Sequence, residues 1–291
     1  HFVKTVHNGI EYADMQMIAE VYGLLRDAGG QTAPQIGALF ESWQKGPLSS
    51  YLIEVSAAAL QTVDAEIGAP MVDLILDKAG QKGTGRWTLI EALKLGQSAS
   101  SIEAAVGARG WSSEKALRVA AAPLLPDAVT GGTLPTEDEM KSALLAARIL
   151  GHAQGFRVLS AASDEFGWQL DMARIAEIWR AGCIIRSALL DDLADAFHAG
   201  LPEGALILAP AIRDMLGDHL AGLRKTVAAG VSLGVPMPAL SASLAWYDSI
   251  RTARGSANLI QAQRDFFGAH GFERGDIAGA HHGTWNAIRR D

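Results

Sequence analysis

Lys4, His7, Asn8 and Glu11 stand at i, i+3, i+4 and i+7, a spacing that places all four on one face of a helix, with Tyr12 at its edge. Phe2, Val6, Ile10, Ala13 and Met17 fall broadly opposite. An amphipathic helix ordinarily turns an apolar stripe to the core and a mixed charged face to water. A face that gathers an amine, an imidazole, an amide, a carboxylate and a phenol suits a polar ligand better than it suits solvent. The plain alternative is a solvated face with Lys4 and Glu11 paired across two turns, which would contribute little.

Other segments carry groups suited to anions. The run Gly80-Gln-Lys-Gly-Thr-Gly-Arg-Trp87 sets three glycines around Lys82 and Thr84. Glycines let backbone N–H groups approach an anion, and the lysine and hydroxyl add donors. No Gly-Lys-Ser/Thr ending makes it a Walker loop, and a simple helix connection is the alternative. Arg264, with His270 close behind, can hold a phosphate or carboxylate through two parallel bonds, and Arg109 reads the same way. Asp191-Asp192-Leu-Ala-Asp195 is of the kind that holds magnesium diphosphate in terpenoid synthases. With no second acidic motif it reads as an exposed acidic turn. His281-His282, with His270, matches no familiar ligand spacing, and no metal is expected.

The elements that must position these groups are helical throughout. Periodicity predicts helices at 1–28, 34–44, 49–66, 70–78, 87–95, 99–108, 113–123, 136–164, 168–199, 209–229, 238–253 and 257–268. Thr136 and Glu139 form a capping box behind Pro135. Alternation sufficient for a sheet is not seen, so the expected class is all-α. From Gly271 onward periodicity is lost and glycines recur, as in a tail that must pack on something else to be ordered.

Apolar residues make up 49% of the 291 and charged residues 20%, enough for a sizeable core. The net charge of −7 argues against a general nucleic-acid surface. Cys183 is the single cysteine, which excludes a disulfide framework; its isoleucine neighbours suggest a buried, inert thiol. No apolar run reaches the ~18–20 residues of a membrane span and no signal peptide is visible, so a cytoplasmic location is the default expectation.

Four segments together resemble the helical C-terminal domain of the 6-phosphogluconate dehydrogenase family. They are His1-Phe-Val-Lys-Thr-Val-His-Asn-Gly-Ile-Glu-Tyr12, Ile75-Leu-Asp-Lys-Ala-Gly-Gln-Lys-Gly-Thr-Gly-Arg-Trp87, Trp179-Arg-Ala-Gly-Cys-Ile-Ile-Arg186 and Ala257-Asn-Leu-Ile-Gln-Ala-Gln-Arg-Asp-Phe-Phe-Gly-Ala-His270. They stand in family order and span nearly the whole chain. Phe266 replaces a common tyrosine, Gly255-Ser256 replaces Leu-Pro, and the tail near Trp285 is short. The family's N-terminal Rossmann domain, with its Gly-rich dinucleotide fingerprint, is absent from the sequence, as is its Ser-Gly-Gly substrate segment. The sequence is therefore expected to be a truncated or partial one.

The resemblance implies NADP-dependent oxidation of 6-phosphogluconate at C3, decarboxylation, and protonation of an enediol to ribulose 5-phosphate. Lys4 matches the general base and Glu11 the acid that protonates C1. His7 and Asn8 match residues that hold the substrate's hydroxyls, Asn8 being also a candidate for the nicotinamide. Tyr12, Lys82, Thr84 and Arg109 match the phosphate pocket, with Arg264 and His270 supplied by a partner subunit. The implied organisation is a substrate-binding and dimerisation domain over 1–268 and a tail over 269–291 that packs on the partner of a homodimer. The fragment alone is expected to be inactive. A non-catalytic dimerisation or sugar-phosphate-binding module is the competing reading.

Overall fold

The computed structural model describes residues 1–127 and 129–285. Their architecture is all-α, the chain folding into two compact units, His1–Trp246 and Tyr247–Asp291. That division falls ahead of position 268, where the sequence changes character.

In the first unit, α1 (Phe2–Gly23) runs on into a short π-helical turn, Leu24–Ala28. A hairpin of α2 (Ala33–Trp43) and α3 (Tyr51–Gln61) follows, then the single turn α4 (Met71–Leu74), α5 (Thr84–Lys94), α6 (Ser100–Ser113) and α7 (Lys115–Ala121). The centre is α8 (Glu137–Phe166), after which come α9 (Met172–Arg180), α10 (Leu189–Ala199), α11 (Pro210–Leu233) and α12 (Pro238–Ile250), the last belonging to this unit as far as Trp246. Apolar or small residues lie on every side of α8, and it is buried through most of its length with α1 and α11 packed against it. A helix buried all round needs no polar face. Its start is held by the predicted capping box: Glu139 N–H donates to Thr136 Oγ1 (3.2 Å) and Thr136 N–H to Glu139 Oε2 (2.9 Å).

Two charged side chains cross from α1 into this core. Asp14 is buried against Arg148 of α8, Oδ1 2.9 Å from Nε. Glu20 accepts the backbone N–H groups of Ala239 (2.7 Å) and Leu240 (2.9 Å), capping α12 from outside its own sequence. Burial raises the Glu20 carboxyl to about 7 against those bonds.

Three expectations are corrected. The helix predicted over 168–199 is broken: residues 181–188 leave helical form because their backbone pairs with the start of α3. Tyr51 N–H donates to the carbonyl of Arg186 (3.1 Å) and Ala188 N–H to that of Ser49 (3.0 Å). The helix predicted over 70–78 shrinks to α4. Strands, not expected anywhere, occur as β1 (Phe272–Glu273) and β2 (Ala280–His281), an antiparallel pair in the second unit.

That unit also holds α13 (Ala257–Gly268). Its organiser is Asp265, whose carboxylate accepts from Gly271 N–H (2.9 Å), Gly283 N–H (2.8 Å), His282 Nδ1 (2.7 Å) and Trp285 Nε1 (2.6 Å). These donors hold the Asp265 carboxyl well below the usual carboxylate range. The tail read from the sequence extends to Asp291, of which residues 286–291 lie outside the described residues.

Candidate active site

The polar face of α1 is one wall of a cleft of about 780 Å³. Lys4, His7, Asn8, Glu11, Tyr12 and Met15 line it in order along the helix. The facing walls bring Gly80, Lys82 and Thr84 from the approach to α5, Arg109 from α6, and Tyr51 from the start of α3. Gly182, Cys183, Ile184 and Arg186 complete the lining from the segment between α9 and α10.

Close contact between α1 and α5 sets the distance between the first two walls. A Cβ on Gly9 would lie 2.7 Å from Thr88 Cγ2, and one on Gly85 would lie 2.6 Å from the Tyr12 ring. Thr88 Oγ1 donates to the carbonyl of Thr5 (2.7 Å), locking the contact. The start of α5, with Lys82 and Thr84 just before and at it, is thereby carried against Tyr12. Arg109 lies over the Tyr12 ring, its Cζ 3.4 Å from the ring centroid. It also donates to the carbonyl of Gly80 (3.4 Å), tying α6 to the glycine loop.

Electrostatics differ along α1. Burial pushes the Glu11 carboxyl above its ordinary range, with the Arg109 charge opposing. Burial lowers the His7 imidazole; its bond to Asn8 opposes this and the Lys4 charge adds to it. His7 Nδ1 is 3.0 Å from Asn8 Oδ1 and 4.0 Å from Glu11 Oε2, and its ring meets Trp179 edge-on at 5.5 Å. The wall therefore presents a neutral imidazole beside a carboxyl shifted toward its protonated form. An amine, a neutral ring and a weakened acid within two turns are suited to moving protons on a bound polyol.

Of the residues singled out in the sequence, Lys4, His7, Asn8, Glu11, Tyr12, Lys82, Thr84 and Arg109 converge on this cleft. Arg264 and His270 belong to the second unit, where Arg264 donates to Gln261 (2.8 Å) and His270 meets the Phe267 ring edge. Cys183 is half-buried and lines the cleft, which corrects the expectation of a buried thiol. Its Sγ donates to the Trp179 carbonyl (2.9 Å), and burial pushes the thiol up, so it stays protonated. Asp191 of the acidic run pairs with Arg180. Among the described residues no group of His, Cys, Asp and Glu is arranged to hold a metal ion.

Sequence reasoning missed Tyr51, Met15 and Arg186. Arg186 lies within one of the family-like segments, but only the broken helix brings it to the cleft. Tyr51 follows Ser50, whose hydroxyl accepts from Ile53 N–H as the cap of α3; that local signal places a helix start and says nothing of a cleft.

The chain is similar to known proteins along almost its whole length. The family model described as "6-phosphogluconate dehydrogenase, C-terminal domain" matches residues 1–285. The chain is 44% identical, over 98% of its length, to the NADP(+)-dependent decarboxylating 6-phosphogluconate dehydrogenase of Bacillus subtilis, and covers 62% of that relative. To the NAD(+)-dependent enzyme of the same organism it is 42% identical, with 98% and 62% covered. Against the Escherichia coli decarboxylating enzyme the identity is 45%, with 98% of this chain and 61% of that one covered. A solved structure of Plasmodium falciparum 6-phosphogluconate dehydrogenase superposes with a TM-score of 0.93 at 38% identity, over 98% of this chain and 62% of that one. The chain thus spans about three fifths of these relatives, the part that carries the helical domain. With a match along almost its whole length and the same helical fold, the chain belongs to the 6-phosphogluconate dehydrogenase family as its C-terminal domain.

Proposed function

We propose that this chain is the substrate-binding and acid–base part of an NADP-dependent decarboxylating 6-phosphogluconate dehydrogenase. The observation that carries the reading is one cleft in which Lys4, His7, Asn8 and Glu11 face Lys82, Thr84 and Arg109. A sugar acid phosphate needs both: cations and N–H groups for its phosphate, and proton-transfer groups at its carbons.

Lys4, in its neutral form, takes the C3 hydroxyl proton, and once protonated it donates a hydrogen bond to the 3-keto oxygen. That bond stabilises the charge that collects on oxygen as carbon dioxide leaves. Glu11, whose raised pKa favours the protonated form, delivers a proton to C1 of the enediol. Lys4 and Glu11 are about 10 Å apart along the helix axis, so side chains reaching inward address neighbouring carbons of one substrate. His7 and Asn8, between them, hold hydroxyls. Lys82, Thr84, Arg109 and Tyr12 anchor the phosphate, and that distant binding energy fixes the geometry at C3.

The described residues hold no strand–turn–helix cradle for a dinucleotide, and Asn8, which lines the cleft, is the candidate on this chain for a nicotinamide contact. The nicotinamide, when bound, accepts hydride. NADP is proposed on the strength of the NADP(+)-dependent relative, with NAD the alternative that the NAD(+)-dependent relative represents. The proposed partner is a second copy of the chain, whose Arg264 and His270 complete the phosphate site.

Joining the chain to the dinucleotide-binding part of a relative tests the reading. Given 6-phosphogluconate and NADP, the joined protein is expected to release carbon dioxide and form reduced nicotinamide in equal amounts. The chain by itself is expected to bind 6-phosphogluconate without turning it over. Binding with no turnover in the joined protein would favour the alternative, a sugar-phosphate-binding or dimerisation module.

A further inference from the structure

Beside the cleft lies a second recess of about 340 Å³, and Tyr51 and Arg186 line both. The two arginines of this region differ. Arg180 is paired with Asp191. Arg186 forms no ion pair with the described residues. Its guanidinium lies over the Tyr51 ring, Cζ 3.7 Å from the centroid, and one N–H is directed at the Cys183 carbonyl at 3.4 Å. Most of the guanidinium's donors are thus uncommitted, within a cleft that already collects cations.

Arg186 is also held in place before any ligand arrives. Its own carbonyl accepts from Tyr51 N–H (3.1 Å), Ser50 and Ser187 form an antiparallel bridge, and Ala188 N–H donates to Ser49 (3.0 Å). Backbone on both sides of the side chain is therefore clamped to the start of α3, and the ring beneath it restricts its rotamers. An arginine ordered in this way loses little further freedom on binding.

Its place along the cleft follows from the elements. Leu52 and Val55, just after Tyr51, share an apolar recess with Met15 and Ile18 of α1. Arg186 therefore stands toward the Met15 end of the α1 wall, Met15 itself lying about 16 Å along the helix axis from Lys4. Arg109, stacked on Tyr12, reaches Met15 Sδ at the same end (3.4 Å). Two arginines, each laid on a tyrosine face, border one end of one cleft in a chain of net charge −7. Cations so placed suit a dianion received between two walls.

We propose that Arg186 is a further ligand of the substrate's phosphate, binding it from the segment between α9 and α10 together with Lys82 and Arg109, and favouring a phosphorylated sugar acid over its unphosphorylated counterpart. The assignment rests on reading the cleft as a 6-phosphogluconate site. It gives the segment between α9 and α10 a function: the break in the helix exists to present this side chain.

Calorimetric titration of the full chain with 6-phosphogluconate, gluconate and inorganic phosphate is the test. Arg186→Met keeps an unbranched apolar stem for the Tyr51 ring and removes the charge. It is expected to weaken 6-phosphogluconate and phosphate about tenfold or more, the scale of one charge-assisted contact, and to leave gluconate unchanged. Arg186→Lys, which keeps the cation, is expected to recover part of the loss, and serves if the methionine variant does not fold. Unchanged 6-phosphogluconate affinity in Arg186→Met would overturn the proposal. So would an equal loss for gluconate, which would assign Arg186 to the carboxylate end or to packing. A lysine variant that binds no better than a folded methionine variant would also count against it. If the unaltered chain binds neither phosphate nor 6-phosphogluconate, the functional reading of the cleft fails, and Arg186 with it.

Discussion

At the scale of single residues, the cleft separates groups by environment more than by type. Glu11 and Lys4 share a helix face, and burial shifts the Glu11 carboxyl upward, with Arg109 limiting the rise. The acid and the base of the proposed reaction are thus distinguishable by substitution. In the joined protein Lys4→Met is expected to abolish hydride transfer, whereas Glu11→Gln should leave oxidation measurable and slow the later proton delivery. Each loss should be about 10²–10⁴-fold in its own step. Reduced-nicotinamide formation reports the first step, and solvent-deuterium incorporation at C1 the second. Near-normal turnover in Lys4→Met would take the base role from it. Both residues were legible from spacing and resemblance, because a helix face is a local property. Arg186 was not, since its position depends on a segment whose partners lie far away in the chain.

At the scale of elements, the precision of the site resides in the α1–α5 contact. Gly9 and Gly85 allow the two helices to approach until Thr88 and Tyr12 touch the opposing backbone. A larger side chain at either position must separate them. Gly9→Val is expected to push α5 outward and move Lys82 and Thr84 away from Tyr12. Overpacking of this kind costs about 1–3 kcal/mol. The measurable sign is a combined fall in thermal midpoint and in 6-phosphogluconate affinity, although the substituted residue does not face the cleft. Gly9→Val binding like the unaltered chain would show that the contact does not set the site. A second element-scale feature is the buried Asp14–Arg148 pair between α1 and α8. Removing one partner should destabilise by about 3–5 kcal/mol, because the other charge is left buried and alone. Replacing both with apolar residues should cost less, and chemical denaturation of the single and double variants checks this.

At the scale of the whole molecule, the second unit is organised by Asp265, and Arg264 is its neighbour in sequence. The proposed shared site predicts complementation between two inactive variants of the joined protein, Lys4→Met and Arg264→Ala. A mixed dimer would have one site with both lesions and one with neither, since a two-fold axis makes the exchange reciprocal. Partial return of activity is expected after subunit exchange. Exchange shown by labelled subunits without any return of activity would place Arg264 in its own subunit's site.

The sequence by itself determined the helical class, the capping box at Thr136 and Glu139, and the shared face of Lys4, His7, Asn8 and Glu11. Helical period and capping depend on residues within a few positions of one another, so they can be read locally. Tertiary structure alone decided where the 168–199 region breaks, that Arg186 reaches the cleft, and that the tail pairs as β1 and β2. The first depends on Tyr51 and Ser49 taking hydrogen bonds that would otherwise continue a helix, and the last on one carboxylate drawing four donors together. Where backbone groups have two partners of comparable strength, the outcome is set by what packs nearby, and that is not written in the local pattern.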